Sequence, residues 1–258
     1  MTELIRGKRH FAGYEAELDA LMRGGLTAEQ VKEKVRRIDP AGARAYRLVA
    51  LYPRERLSAL SDRVYLLMTG NEELARRYVC MEWRRMLIVL CREDGQEAAD
   101  ALLDLLGAEK PELFAGVSEM RTQPDAFGVA LCEAVYAARA ARLSGKLLMT
   151  AGELGLYAYL FPMSENAFVC SQCRNQLRRI RDYDGQNRTS LEQTARVYVS
   201  KGMEIAATAK ALFQHPNTVR YRLTKIQKLM ELEDDALFAP MLSLMINLSQ
   251  ILEEEGRT

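Results

Sequence analysis

The chain of 258 residues is poor in histidine, in tryptophan and in long apolar runs. Its only histidines are His10 and His215, so neither a Ser-His-Asp triad nor a histidine metal cluster is indicated. No apolar run approaches the roughly 18 residues of a membrane helix. Residues 1–10 carry charges without an apolar segment, which argues against a signal peptide. We therefore expect no catalytic residues, no metal, no cofactor and no membrane contact.

Cysteine is present but without a regular pattern. The five cysteines are an odd number and are typical of reduced thiols, so we expect a cytoplasmic protein. Cys170 and Cys173 have the spacing of a redox or zinc pair, but a second pair of ligands is missing. Two buried or half-buried thiols are the favoured interpretation. The hydrophobic content of 48% and charged content of 28% are those of a globular protein.

Net charge is also small, at +1, but the charges are not spread evenly. Residues 189–230 hold seven basic side chains against the acids Glu192 and Glu204. Residues 231–258 hold seven acids and one arginine. A basic segment inside a nearly neutral chain is the electrostatic pattern of a nucleic-acid-binding surface.

Two short helices are predicted within this basic segment, between Glu204 and Lys228. Pro216 suits the first position of the second helix, because a helix does not need the N–H of that residue. The apolar residues of this helix recur at spacings of four, three and four and form one stripe, namely Val219, Leu223, Ile226 and Met230. Only residues 214–216 separate the two helices. A connection that short predicts helix-turn-helix geometry.

The polar side chains of the second helix fall opposite or beside its apolar stripe, where they would meet the major groove of double-stranded DNA. Asn217 and Tyr221 are predicted to contact bases, and Arg220 could reach a guanine as well as a phosphate. The predicted DNA-binding residues are His215, Asn217, Thr218, Arg220, Tyr221, Arg222, Thr224, Lys225 and Lys228. The alternative is a helical hairpin whose basic face is merely solvated.

Strand-like and helix-like segments alternate upstream of the two helices. Strands are expected at 44–52, 75–82, 85–91, 114–120 and 146–149, and helices at 53–68, 95–106, 124–143 and 153–160. This order predicts an α/β domain, an α+β sandwich, followed by an all-α helix-turn-helix domain. Helices are also expected at 14–22 and 27–38, where Thr27 and Gln30 can form a capping box. This N-terminal segment would pack on its own domain or against a second copy.

The predicted domains are an N-terminal helical segment at 1–40, the α/β domain at 41–184 and the helix-turn-helix domain at 187–258. The polar residues 184–187 are interpreted as a turn between two helices. Ser190 and Gln193 can form a capping box for the helix after this turn. The apolar helix predicted at 240–253 would either close the core of the small domain or form a dimer contact.

Residues 215–226, HPNTVRYRLTKI, with ATAKALF before them, resemble the DNA-binding end of the PucR/CdaR-type bacterial transcription regulators. Members of that family carry an H-x-N-T-[LV]-x-Y-R-L core at this place. The resemblance implies a transcription regulator that binds DNA as a homodimer or larger oligomer. Glu204 and Ala206 depart from the family pattern, which usually has Asn and a small hydroxyl residue there. Phe213 occupies a position where many other helix-turn-helix units have Gly, although members of this family commonly have a bulky residue there.

The α/β order resembles the degenerate GGDEF-like domain of the same regulators. In true cyclases of that fold, a Gly-Gly-acid-acid-Phe turn binds metal and nucleotide. The corresponding residues here are Met81–Arg85, MEWRR, with Glu82 as their only acid. Two-metal chemistry needs converging carboxylates, so a non-catalytic scaffold is expected. The rival hypothesis is a nucleotide-binding or cyclase-like protein whose helical domain docks protein rather than DNA. No motif indicates a small-molecule effector.

Overall fold

The computed structural model describes residues 11–54, 56–92, 98–106, 113–254 and 256. The chain forms two compact units, Met1–Ala158 and Tyr159–Thr258. His10 and the first three residues of the helix predicted at 95–106 lie outside the described residues. The predicted domain limits at 40 and at 184–187 stay a prediction.

Among its described residues, the N-terminal unit is a mixed sheet of five strands with helices packed on it. Its elements in chain order are α1 (Glu15–Arg23), α2 (Ala28–Ile38), β1 (Tyr46–Pro53), α3 (Leu57–Thr69), α4 (Glu72–Arg77), β2 (Tyr78–Trp83), β3 (Met86–Arg92), α5 (Ala98–Leu105), β4 (Leu113–Val117), the 3-10 helix Pro124–Ala126, α6 (Phe127–Ser144), β5 (Leu148–Thr150) and the 3-10 helix Ala151–Glu153. The predicted α/β class is confirmed. The predicted strand at 75–82 begins later than expected, because Asn71 caps the short helix α4 by accepting from Glu73 N and Leu74 N.

The strand order is β2-β3-β1-β4-β5. Neighbouring strands are antiparallel except for β4 and β5, which are parallel. The central strand β1 lies between β3 and β4, so that Val49 faces Val89 on one side and Val117 on the other. This is a β-α-β-β-α-β arrangement extended by one strand.

Helices cover both faces of this sheet. Successive residues of a strand point to opposite faces. Val49 and Leu51 belong to the core that α3 and α5 close, whereas α6 covers the other face. Antiparallel sheets often leave one face to solvent and then show an alternating pattern. Burial on both faces explains why β1 is an unbroken run of apolar and aromatic residues apart from Arg47.

Helix α6 approaches β4 closely at Gly116. A β-carbon at Gly116 would lie 2.1 Å from both the Ala134 carbonyl oxygen and the Ala138 nitrogen. The alanines of α6 allow this approach, and α1 crosses α6 at Gly128, next to the carbonyl of Leu21. Leu18 and Ile38 are fully buried in the same unit. The N-terminal helices therefore pack on their own unit, and the predicted capping box of Thr27 and Gln30 is confirmed.

The β2–β3 hairpin turns at Arg84 and Arg85, between the paired residues Trp83 and Met86. Trp83 is 1% exposed, and its Nε1 donates to Asp19 Oδ1 at 3.0 Å. The Arg84 guanidinium lies 4.2 Å from the centre of the Trp83 ring. This turn is therefore packed with an aromatic ring and a guanidinium. Among the described residues, no three His, Cys, Asp or Glu side chains form a group that could hold a metal.

In the residues that the structure describes, the C-terminal unit consists of helices and the turns between them. Its elements are α7 (Tyr157–Glu165), which begins at the division between the units, α8 (Ala167–Asn187), α9 (Leu191–Ser200), α10 (Ile205–Ala211), α11 (Pro216–Leu229) and α12 (Asp235–Glu254). The core is apolar and includes Ile180, Leu191, Val219, Ile226, Leu242, Ile246 and Ile251.

Helix α8 runs through residues 184–187, so the interpretation of these residues as a turn is wrong. The continued helix brings Asp184 to the start of α9. Its carboxylate accepts from Leu191 N at 2.7 Å and from Glu192 N at 3.0 Å. The capping box predicted for Ser190 and Gln193 is absent, because the carboxylate already satisfies the free N–H groups and suits the positive end of the helix dipole.

Helix α12 begins at Asp235, earlier than predicted, and packs against α8 and α9. Its inner face closes the core of the unit, as one of the two predicted alternatives stated. By length and composition this helix could also cross a membrane, because an 18-residue window has a mean hydropathy of 1.4. The expectation that no stretch reaches this length is therefore wrong. The window is 44% buried, and core helices of other proteins meet the same criterion.

Cys170 and Cys173 are two buried thiols. Cys170 Sγ donates to the Ser164 carbonyl at 3.0 Å, and Cys173 Sγ donates to the Met245 carbonyl at 3.5 Å. Burial raises the pKa of Cys173 to about 11. A thiol with a raised pKa is a poor nucleophile and a poor metal ligand, which agrees with the favoured interpretation.

Candidate nucleic-acid interface

The connection between α10 and α11 is a tight left-handed turn. Leu212 ends α10, and Phe213 follows with a φ of +53°. Gln214 N donates to the Ala209 carbonyl at 2.9 Å and Phe213 N donates to the Lys210 carbonyl at 3.3 Å. This is the pair of hydrogen bonds of a Schellman motif, which ends a helix and redirects the chain. Helix α11 can therefore start at Pro216, and the predicted helix-turn-helix is present.

His215 is the N-cap of α11. Its backbone is extended, and its Nδ1 accepts from Asn217 N at 3.2 Å. Pro216 occupies the first helical position, as predicted. His215 therefore orients the amino end of α11 through one ring nitrogen, which leaves Nε2 for any external partner.

The apolar stripe of α11 faces the core. Val219 and Ile226 are fully buried, and Leu223 and Met230 are nearly so. The stripe packs against α9 and α10. This burial fixes the rotation of the helix, and the opposite face is consequently turned to solvent.

The solvent face of α11 carries five of the nine predicted DNA-binding residues, which are Asn217, Arg220, Tyr221, Thr224 and Lys228. Tyr221 is 68% exposed. Arg220 Nη1 donates to Asn217 Oδ1 at 2.9 Å, and Thr224 Oγ1 donates to the Arg220 carbonyl at 3.1 Å. Asn217 and Arg220 are thus a hydrogen-bonded pair, which sequence spacing alone does not reveal. Both side chains keep further N–H donors for an external acceptor.

Arg222 and Lys225 contact the rest of their own unit. Arg222 Nη1 donates to Thr194 Oγ1 on α9 at 3.1 Å. Lys225 Nζ lies 4.4 Å from the centre of the Tyr183 ring on α8. Both side chains are half-buried, as is Thr218. The predicted residues therefore divide between an exposed face and a flank that is partly engaged within the unit.

An ion-pair cluster neutralises part of the charge counted in the basic segment. Glu192 Oε2 accepts from Arg181 at 2.8 Å, and Glu192 Oε1 accepts from Arg196 at 2.7 Å. Glu253 contacts the same two arginines. The hydrogen bond from Arg181 holds the pKa of Glu192 below its usual range, and the Arg196 guanidinium acts in the same direction. Arg196 therefore contributes to the stability of the unit rather than to an exposed basic surface.

Comparison with protein families finds a match in this unit. Residues 191–238 match the family model of the PucR C-terminal helix-turn-helix domain. The DNA-binding transcriptional activator AdeR of Bacillus subtilis (strain 168) is 26% identical over 88 residues, which are 34% of this chain and 21% of AdeR. The match thus spans about a fifth of the length of this relative.

Among solved structures, the regulator of polyketide synthase expression from Bifidobacterium adolescentis aligns with 92% of this chain and 97% of its own. Its sequence is 16% identical, and the TM-score is 0.42. The family model is the specific finding, since its limits enclose α9, α10 and α11. Residues 191–238 thus match the PucR C-terminal helix-turn-helix domain over the three helices that form the candidate interface.

Proposed function

We propose that this protein is a cytoplasmic DNA-binding transcription regulator of the PucR/CdaR type that recognises operator DNA with α11. The observation that carries the proposal is the exposed polar face of α11 within a PucR helix-turn-helix domain. In helix-turn-helix proteins the amino end of the second helix contacts base edges in the major groove. Asn217, Arg220 and Tyr221 lie exposed in the first half of α11.

The proposed base contacts are made by Asn217, Arg220 and Tyr221. The hydrogen bond between Asn217 and Arg220 orders both side chains before binding, which lowers the entropy lost on binding. Asn can pair with adenine through two hydrogen bonds, and Arg can pair with guanine in the same way. The remaining residues are proposed to contact phosphates or sugars, and these are His215, Thr218, Arg222, Thr224, Lys225 and Lys228.

We assign the α/β unit a non-catalytic role as a degenerate GGDEF-like scaffold. The support is the packing of its hairpin turn, where Trp83 binds Asp19 and Arg84 covers the indole ring. Glu82 lies opposite Leu87 in the ladder and is the only acid within Met81–Arg85. We expect no cyclic dinucleotide from purified protein with GTP and Mg²⁺. Product formation that Glu82→Ala abolishes would contradict this assignment.

We further propose that the protein binds DNA as a homodimer or a larger homo-oligomer. One helix-turn-helix recognises only a few base pairs, and specific sites are usually built from two half-sites. Analytical sedimentation of the free protein and of its operator complex measures the assembly directly. A monomer in both states would contradict the proposal.

The DNA-binding proposal is tested by mobility-shift titration of genomic fragments, followed by a salt series on the fragment that binds most tightly. Asn217→Ala should reduce discrimination between operator and random duplex, and Lys228→Ala should weaken both and reduce the salt slope by about one per protein copy. Arg76→Ala is the matched control, because it removes one exposed cation from the N-terminal unit. If folded Asn217→Ala, Arg220→Ala and Tyr221→Ala all bind operator like the parent, α11 is not the recognition helix.

A further inference from the structure

The turn before α11 carries an apolar side chain that the fold does not use. Phe213 is 95% exposed, the highest value among the exposed large apolar residues that the structure describes. A single exposed apolar side chain is common at protein surfaces, so the exposure of Phe213 needs a second observation beside it. The ring of Phe213 therefore contributes no burial to the stability of its unit.

The backbone at Phe213 makes this side chain more unusual. Phe213 occupies the residue of the Schellman motif that glycine fills most often, because the conformation is left-handed there. At a φ of +53° a β-carbon is strained against the following carbonyl. Glycine would form the same two backbone hydrogen bonds without this strain.

The Schellman motif does not need the ring for its own packing. A hydrophobic contact often accompanies the motif. It joins the residue that follows the left-handed residue to the residue four positions before the left-handed one. Those residues are Gln214 and Ala209. An aromatic residue at Phe213 is thus unfavourable for the backbone and unused by the core, which are two independent observations.

The place of Phe213 in the turn points to the partner. It precedes the N-cap His215 by two residues and the exposed Asn217 by four. The amino end of the second helix is the part that approaches DNA in helix-turn-helix complexes. The major groove displays the 5-methyl group of thymine, and phenylalanine is among the side chains that contact it.

We propose that Phe213 is a DNA-contacting residue whose ring packs on apolar surface of the operator, at the edge of the bases recognised by Asn217 and Arg220. The apolar surface is either a thymine methyl group or a deoxyribose. This inference rests on the proposed function of α11. It adds an apolar contact beside polar ones, and it gives the strained turn a role in recognition.

The test uses the full-length protein with Phe213→Gly, and Phe168→Ala serves as the matched control. Phe168 is 71% exposed on α8 and outside the turn, so its loss removes an exposed ring from ordinary helical backbone. Phe213→Gly should weaken operator binding by about tenfold. The salt slope should stay that of the parent, because an apolar contact releases no counterions. Phe168→Ala should leave both quantities unchanged.

Modified DNA distinguishes a thymine methyl group from a deoxyribose as the group that the ring contacts. If the ring contacts a thymine, replacing that thymine by deoxyuridine should weaken the parent by the same factor and leave Phe213→Gly unaffected. If the ring contacts a deoxyribose, deoxyuridine should have no effect at any position, and Phe213→Gly should weaken operator and random duplex alike. Either result supports the contact.

Two outcomes overturn the inference. In the first, Phe213→Gly binds operator like the parent while Arg220→Ala and Tyr221→Ala lose binding, so that the proposed function stands and Phe213 has no part in it. In the second, sedimentation shows that Phe213→Gly loses affinity because its oligomer dissociates, which would make the ring a contact between protein chains. Retained binding by the Arg220 and Tyr221 variants would instead reject the proposed function itself.

Discussion

The hairpin turn at Arg84 and the turn at Phe213 each hold a non-glycine residue at a φ of +53°. The Arg84 side chain contacts two residues of its own unit. Its guanidinium lies 4.2 Å from the centre of the Trp83 ring and 3.4 Å from Asp19 Oδ1. Phe213 is 95% exposed. The comparison shows that left-handed backbone does not by itself mark a functional residue. The more informative observation is whether the side chain contacts other residues of its own unit or is exposed to solvent.

Gly116 differs from both turns, because the space around it, and not its backbone conformation, excludes a larger residue. Gly116 does not need a left-handed conformation, but its missing side chain lets α6 lie on β4. Gly116→Ala should lower the free energy of unfolding of the N-terminal unit by about 3–5 kcal/mol, because two backbone atoms lie 2.1 Å from the new β-carbon. Chemical denaturation followed by circular dichroism measures the change.

Gly152→Ala is the control for Gly116, since the nearest atom to its added β-carbon is a carboxylate oxygen of Glu119 at 3.7 Å. This variant should unfold at nearly the denaturant concentration of the parent. Equal stability of the Gly116 and Gly152 variants would mean that α6 can move away from the sheet without loss.

The internal partner of the Arg84 turn can be removed directly. Asp19→Ala takes away the acceptor of Trp83 Nε1, and the indole is 1% exposed. A buried donor without a partner costs about 1–3 kcal/mol, so the N-terminal unit should lose about 2 kcal/mol of stability. Asp19→Asn keeps a carbonyl acceptor and should lose less. If Asp19→Ala is as stable as the parent, the contacts with Asp19 do not offset the backbone strain at Arg84, and the contrast with Phe213 disappears.

The same distinction between used and exposed side chains applies to the cations of the C-terminal unit. Arg181 and Arg196 are paired with Glu192 and Glu253, whereas Arg220 and Lys228 are exposed on α11. Glu192→Gln should lower the stability of this unit by about 1 kcal/mol at pH 7, as expected for a partly exposed ion-pair network.

The pH dependence of this effect has a definite sign. The pKa of Glu192 is lower in the folded unit, chiefly because of Arg181, so its stabilisation is complete above the unfolded pKa of about 4.3. It is lost as the pH falls through the folded pKa. Denaturation curves of the parent and Glu192→Gln should therefore begin to converge below pH about 4.3 and should coincide once the pH is below the folded pKa. A difference that stays constant across this range would contradict the ionic origin.

Much of the architecture was predictable because its signals are local. Pro216 and the spacing from Val219 to Met230 mark one helix and its buried face. The strands are recognisable because burial on both faces leaves nearly continuous apolar runs. The expectation that α11 contacts DNA depends on the resemblance to the family motif, since periodicity alone predicts only a helix with one buried face.

The unpredicted details depend on tertiary contacts. Asp184 caps α9 only because α8 continues through Gly185, and no local pattern indicates that continuation. Helical periodicity places Lys225 on the polar side of α11 but cannot show that Tyr183 of another helix lies beneath it. Trp83 and its acceptor Asp19 are 64 residues apart in the chain. Such contacts decide which predicted site residues are exposed and which are engaged.

The smallest expected effect is the change in stability when glycine replaces the left-handed residue of each turn, Phe213 or Arg84. Glycine relieves left-handed strain at both positions, which amounts to about 1–2 kcal/mol, and it adds about 0.5–1 kcal/mol of unfolded-state entropy. At Phe213 no buried contact is lost, so Phe213→Gly should stabilise the C-terminal unit by about 0.5–1 kcal/mol. At Arg84 the stacking on Trp83 and the hydrogen bond to Asp19 are lost as well.

An exposed cation–π contact contributes about 0.5–1 kcal/mol, so Arg84→Gly should leave the N-terminal unit within about 0.5 kcal/mol of the parent. Thermal unfolding of the two variants at one pH measures both changes. A stabilised Phe213→Gly that also binds operator less tightly would separate the two roles of the turn, because the same ring would oppose folding and favour binding. If Phe213→Gly is instead less stable than the parent, the ring has a structural contact and its exposure does not indicate a partner.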